Sequence, residues 1–349
     1  MLNFRISTAI VLALLGGNTN AETLTILTWE AYFADDVIAQ WEAATGAQIN
    51  QIHFDTDDAR NSILYTSELT QIDIVTIDPI TAQVFGQQQV FLDVPSYKPL
   101  ANLAYANADW AQRCAPNATP YLWGTLGLVY RKDKLAIAPR SWQDLLTPTP
   151  EIAGHIGLLE NYGDTLSPSL LVRQQSPSSN DQLVLREVFE ELKALLPSVL
   201  TFEYSISYIH KNPMDDALHL ALGYSGDEKA LNALSGHEQW AYVIPEEGSV
   251  FWGECLGILK NAPQAELAMD FINFLNTPEI AARNSETLGI ATANDAAYAL
   301  QSQAFRDNPT LHPDQESIVL HHYAGEFSSE GILLRNRIIS TLVESHDSQ

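Results

Sequence analysis

The sequence predicts two α/β domains, each a largely parallel sheet flanked by helices, joined by long strands that cross between them. Three observations carry this expectation. Residues 23–77 alternate between strand-like apolar runs and helical periods, the pattern of a parallel sheet with crossover helices. The 349 residues are enough for two separate cores. No internal repeat and no low-complexity linker divides the chain, so the domains are expected to be discontinuous.

The elements follow in order. Thr23 to Thr28 (TLTILT) is a β-branched run and reads as a buried strand. Ala34 to Thr45 has apolar residues at helical spacing, with Gly46 as its C-cap. Ala47 to Phe54 alternates as a second strand, Arg60 to Leu69 reads as a helix, and Ile72 to Ile77 is a third strand. Tyr121 to Tyr130 (YLWGTLGLVY) is a longer strand-like run with an internal Gly. Ser141 caps a helix, and Ile156 to Leu159 is a short strand. Asp181 to Leu196 is a long amphipathic helix stopped by Pro197. Ala217 to Tyr224 leads into a turn, and Trp240 to Ile244 and Val250 to Leu259 are strands. Pro263 to Leu275 is a helix, and the next begins with Thr277 as cap and Pro278 at its first position. The runs 121–130 and 250–259 are the expected crossing strands.

The first residues read as a secretory signal peptide. Arg5 supplies a basic n-region, Ile10 to Leu15 an apolar core, and Thr19-Asn20-Ala21 a small-residue site cut before Glu22. No later segment is apolar for long enough to cross a bilayer, so the mature chain is expected to be soluble and exported. Removing Arg5 leaves 17 basic and 43 acidic residues, a net of −26. Nucleic acid and acidic membrane surfaces are poor partners for such a chain, and cations are drawn to it. The same charge also serves solubility alone. The two cysteines, Cys114 and Cys255, would enter an oxidising compartment, where they either form one disulfide or remain two buried thiols. A bridge closing so long a loop contributes about 4–5 kcal/mol in the chain-entropy view.

Three stretches place a large aromatic within three residues of a carboxylate. They are Trp29-Glu30-Ala31-Tyr32, Tyr224-Ser225-Gly226-Asp227 and Phe251-Trp252-Gly253-Glu254. An aromatic face attracts a cation and its methylenes, while a carboxylate accepts its N–H donors, so the pairing suits an alkylammonium ligand. Each stretch alone also fits ordinary core aromatics. The first follows a strand directly, as does Asp78 after Ile77, and such positions bind ligands in α/β sheets. Lys and Arg are sparse around all three stretches, so the acids are expected to await a cation from outside.

Other chemistries find less support. Gly223-Tyr224-Ser225-Gly226-Asp227 lacks the second Gly of a nucleophile elbow, which makes an exported serine hydrolase a remote alternative. There is no H-E-x-x-H and no P-loop. His321-His322 are adjacent and would not share a face. Asp55, Asp57 and Asp58 lack the Gly and Glu of an EF-hand and read as a solvated loop. No catalytic residue, metal or cofactor is expected.

In several motifs the chain resembles the periplasmic polyamine-binding proteins of ABC transporters, the spermidine/putrescine type. The motifs are W-x-x-Y (Trp29, Tyr32), P-Y-L-W-G (Pro120 to Gly124), S-W-x-D-L (Ser141 to Leu145) and P-E-E-G-S-V-F-W-G-E (Pro245 to Glu254). The run Ala268 to Glu279 and P-D-Q-E (Pro313 to Glu316) continue the match. The resemblance implies a type II periplasmic-binding-protein fold, with lobes 22–126 plus 254–298 and 127–253 plus 299–349 after a signal peptide at 1–21. It implies a periplasmic monomer that closes on a polyamine and delivers it to an ABC permease. A sensor that docks on a membrane receptor would use the same pocket. By position, Trp29, Tyr32, Tyr224, Asp227, Trp252 and Glu254 match the family's ligand residues, with Tyr224 where Trp is usual and Glu254 where Asp is. The departures are at the first loop and its surroundings. Its acid falls early, at Glu30, and Ala31 stands at the acidic position. Asp78 replaces a small hydroxyl residue, and the sequence leaves open whether its charge compensates for Ala31. Tyr162 and Thr165 replace an acidic pair, with Asp164 nearby.

Overall fold

The computed structural model of the chain describes residues 21–65, 71–93, 100–214, 216–313, 322–323 and 327–348. The signal-peptide reading lies outside these residues except for Ala21. So do the end of the helix expected at 60–69, the match at 314–316, and His321.

Strand β1 (Thr23–Thr28) is buried at every position but the first, as its uninterrupted apolar and β-branched run requires of a strand covered on both faces. It pairs in parallel with β2 (Gln48–His53) and β3 (Ile74–Ile77). The helix Asp35–Thr45 between β1 and β2 turns Val37 and Trp41 inward and ends on Gly46. The next helix begins three residues before the expected Arg60. Thr56 Oγ1 accepts the Ala59 N–H, so the helix runs Asp57–Leu64 with Asp57 and Asp58 in its first turn. The acidic cluster at 55–58 is therefore a capped helix start and not a solvated loop.

Two long strands organise the rest: β4 (Ala118–Arg131) and β9 (Val250–Ile258). They pair with each other antiparallel. β9 also pairs antiparallel with β3. On its other side β4 pairs with β7 (Leu220–Tyr224), beyond which β5 (Ile156–Gly157) and β6 (Val199–Thr201) continue in parallel. The order is β2-β1-β3-β9-β4-β7-β5-β6, with β8 (Trp240–Val243) and β10 (Ala291–Thr292) on β4, and β11 (His322–Tyr323) on β9. The sheet is thus parallel at its two ends and antiparallel at the long strands.

The core divides along those strands. Leu122 of β4 and Leu256 and Ile258 of β9 pack with Leu24, Trp41, Phe271 and Ile272. Leu126 and Leu128 of β4 and Val250 of β9 pack instead with Trp142, Leu170, Val188 and Leu192. Each long strand therefore leaves one core and enters the other within a few residues. Cys114 is bonded to Cys255 of β9, with Cα atoms 5.8 Å apart, so of the two states open to the sequence the chain takes the bridge. Thr277 precedes its helix as expected but does not cap it, because its hydroxyl accepts a hydrogen bond from Asn102. Among the described residues no helix is long and apolar enough to cross a membrane.

Candidate functional site

The three aromatic–acid stretches come together where the two cores meet. Each arrives by a different local device. Trp252 and Glu254 lie two apart on β9 and so share a face. Tyr224 ends β7, and Gly226, at φ +102, makes the tight turn that brings Asp227 back under it. There the Tyr224 N–H donates to Asp227 Oδ2 at 2.7 Å. Trp29 and Tyr32 lie in the turn after β1, in which Ala31 adopts φ +56.

The aromatic rings form a connected wall. Trp252 lies 5.8 Å from Tyr224 and 6.4 Å from Tyr32, centroid to centroid. Tyr204 lies 5.9 Å from Tyr224 and 6.4 Å from Trp29. The carboxylates are set among these rings. Trp29 Nε1 donates to Glu254 Oε1 at 2.9 Å. Glu254 Oε2 is buried with no hydrogen-bond partner among the described residues, and the Trp252 indole N–H is in the same condition. The Tyr204 hydroxyl donates to Asp227 Oδ1 and the Tyr224 hydroxyl to Asp164 Oδ2, both at 2.6 Å.

Burial raises all three carboxyl groups. Glu254 is pushed up to about 8, with Asp78 and Asp57 adding to the rise and Arg60 and the Trp29 N–H opposing it. Asp227 rises to about 7 against the hydrogen bonds from Tyr204 and the Tyr224 N–H. Asp164 rises to about 6 against the Tyr224 hydroxyl. A bound cation would reverse these shifts, because it favours the ionised forms.

Two residues expected in this cluster are engaged otherwise. Glu30 pairs with His210 Nδ1 of the facing half. Asp78 caps the helix Pro79–Gln87 through the Thr81 N–H at 2.8 Å and accepts Arg60 Nη2 at 3.1 Å. Its charge is paired with Arg60, while it also acts on Glu254. Arg60 also corrects the expectation of acids without a nearby base. It is fully buried, with Nη1 2.7 Å from Asp57 Oδ1. Arg60, Tyr204 and Asn161 were not singled out from the sequence. Tyr204 and Asn161 carried no signal. Arg60 did, as the only Lys or Arg from Glu22 to Tyr97, spaced i,i+3 from Asp57.

The two halves touch around the cluster. Ser207 donates to Asp55 at 2.8 Å and Asn161 Nδ2 to Asp57 Oδ2 at 3.0 Å. Between them lies a cavity of about 230 Å³, lined by the rings of Trp29, Tyr204 and Tyr224 and by Asp55, Glu160 and Glu203, and adjoining the buried carboxylates through Trp29 and Tyr224. A wider groove of about 710 Å³ lies elsewhere, lined by Lys229, Arg283, Glu279 and Glu286. It mixes both signs of charge and contains none of the clustered aromatics, so the smaller cavity is the better cation site. Ser225 is buried, and its Oγ accepts the Thr125 N–H at 3.2 Å. Among the described residues no group of His, Cys, Asp and Glu is arranged to hold a metal.

The sequence over residues 36–313 matches the family model described as bacterial extracellular solute-binding protein. The norspermidine sensor of Vibrio cholerae is 32% identical over 330 residues, covering 95% of this chain and 91% of that protein. The spermidine/putrescine-binding periplasmic protein of Escherichia coli K12 is 27% identical over 304 residues, covering 85% and 84%. A solved structure titled as a putative spermidine/putrescine ABC transporter from Listeria monocytogenes superposes with a TM-score of 0.79. It is 23% identical and covers 93% of this chain and 100% of its own.

Proposed function

This chain belongs to the bacterial extracellular solute-binding proteins, and from that premise we propose that it captures a polyamine in the periplasm and delivers it to an ABC permease. The observation that carries the reading is Glu254. A fully buried carboxylate held by Trp29 and beside Tyr32, with one oxygen unpartnered among the described residues, is suited to an ammonium group. Asp227 and Asp164, beside Tyr204 and Tyr224, would hold a second cationic end. The rings between would cover the methylenes.

The magnitudes suffice. Each ammonium–carboxylate hydrogen bond contributes about 1.5–3 kcal/mol and a desolvated cation–π contact about 2 kcal/mol. Two anchored ends and a stacked chain leave micromolar or tighter binding after the cost of association. In this reading the lobes are 22–126 plus 254–298 and 127–253 plus 299–349, β4 and β9 form the hinge, and the ligand leaves unchanged, with no catalytic step. Calorimetry with putrescine, cadaverine, norspermidine and spermidine tests it. Binding to at least one at micromolar concentration is expected, and no heat with any of them at low salt would end the reading.

A second reading is favoured by the 32% identity to a norspermidine sensor over 95% of the chain. The same closed cleft would then be read by a membrane receptor instead of a permease. Uptake of labelled amine separates the two. Cells lacking this chain lose uptake if it serves transport and keep it if it serves sensing.

A further inference from the structure

Arg60 occupies a cation site of its own. Its guanidinium is fully buried and lies between two carboxylates, 2.7 Å from Asp57 and 3.1 Å from Asp78. An aromatic face completes the surroundings, with Cζ 5.6 Å from the centroid of Phe54. Two acids and an aromatic face are what the neighbouring cleft would offer an ammonium group. The two sites are continuous, because Phe54 packs on Trp29 at 4.4 Å and Trp29 holds Glu254. Asn161 of the facing half closes over Asp57 at 3.0 Å. The Arg60 site thus adjoins the aromatic–acid cluster and is already filled by a side chain.

Given the amine-binding reading above, on which this inference rests, we propose that Arg60 is a specificity-determining residue, an internal cation that takes the place of one ligand ammonium. It answers Asp57 and Asp78, so the buried carboxylates left beside the rings are Glu254, Asp227 and Asp164, with Asp55, Glu160 and Glu203 lining the neighbouring cavity. A longer polyamine would have to set its extra charge against a guanidinium that cannot lose its proton. Like-charge juxtaposition of this kind is how binding sites reject a near relative of their ligand.

The test is calorimetry with putrescine, spermidine and spermine on the whole mature chain, as wild type, Arg60→Lys and Arg60→Met. Wild type is expected to bind spermine at least tenfold more weakly than the better of the two shorter amines. Arg60→Met uncovers Asp57 and Asp78, so the preference should move towards spermine by at least tenfold. Arg60→Lys keeps the charge and should keep the wild-type order. Wild type binding spermine as tightly as the shorter amines overturns the proposal, and so does a folded Arg60→Met with an unchanged order. If Arg60→Met does not fold, the wild-type order decides alone. A wild type that binds some amine but fails these expectations removes only the role of Arg60. One that binds none of the three, nor norspermidine nor cadaverine, removes the amine reading and this inference with it.

Discussion

Glu254 and Glu30 show how two acids of similar sequence context come to differ. Glu254 projects from a strand into a wall of rings and is shielded from water, while Glu30, with 23% of its side chain exposed, pairs with His210, 60% exposed. An exposed ion pair contributes about 0–1 kcal/mol, whereas a buried charge–hydrogen-bond contact contributes about 1.5–3 kcal/mol. Glu254→Gln should therefore weaken amine binding roughly 10- to 100-fold by that second figure, and Glu30→Gln by less than about fivefold by the first. Titration calorimetry on both variants checks this, and equal losses would contradict the assignment. The sequence made Glu254 legible through its spacing from Trp252. It could not show that Glu30 pairs with His210, because that contact spans 180 positions and forms only when the two halves meet.

Among the elements, β4 and β9 position the aromatic wall of the proposed site, and their contact depends on Gly124. A Cβ there would lie 2.6 Å from the Trp252 ring and 2.3 Å from Ser225 Oγ. The Trp252 ring can lie against β4 only where a side chain is missing. Gly124→Ala should cost about 1–3 kcal/mol of stability as an overpacking change. It should also lower amine affinity at least tenfold, because the displaced ring is the one that faces Tyr32 and Tyr224. Thermal unfolding and calorimetry on one preparation read both effects, and intact affinity would show that Trp252 is not a ligand wall. The elements themselves were largely legible, with β1 matching its expected residues. The helix at Asp57 was not, because its start depends on the Thr56 hydroxyl outcompeting solvent for one N–H.

For the whole molecule, closure makes the chain sensitive to pH. The folded chain holds Glu254 at about 8, Asp227 at about 7 and Asp164 at about 6, all above the carboxyl range of an unfolded chain. Between about pH 4 and pH 8 the folded state therefore binds more protons than the unfolded state, and stability falls as pH rises through that window. Asp133 and Asp216, lowered by Arg131 and Lys134, act in the opposite sense but are exposed and matter only at acid pH. The melting temperature without ligand should drop from pH 5.5 to pH 8. An ammonium ligand needs ionised carboxylates, so binding at pH 7 should expel protons and tighten towards pH 8. Calorimetry in phosphate and in Tris reads the proton release, and identical heats in the two buffers would refute it.

Several properties were determined by the sequence alone: the α/β class, the two crossing runs, the strongly acidic charge and the aromatic–acid pairs that frame the cleft. Those signals are local or compositional, since periodicity, capping and net charge act within a few residues or over the whole chain at once. Tertiary structure decided which acids are set among the rings and which are already answered. Trp29 meets Glu254 across 225 positions and Tyr224 meets Asp164 across 60. Arg60 neutralises Asp78 from a different helix. The balance of charge in a binding cleft depends on distances in space, and those distances appear only when the chain has folded both halves around it.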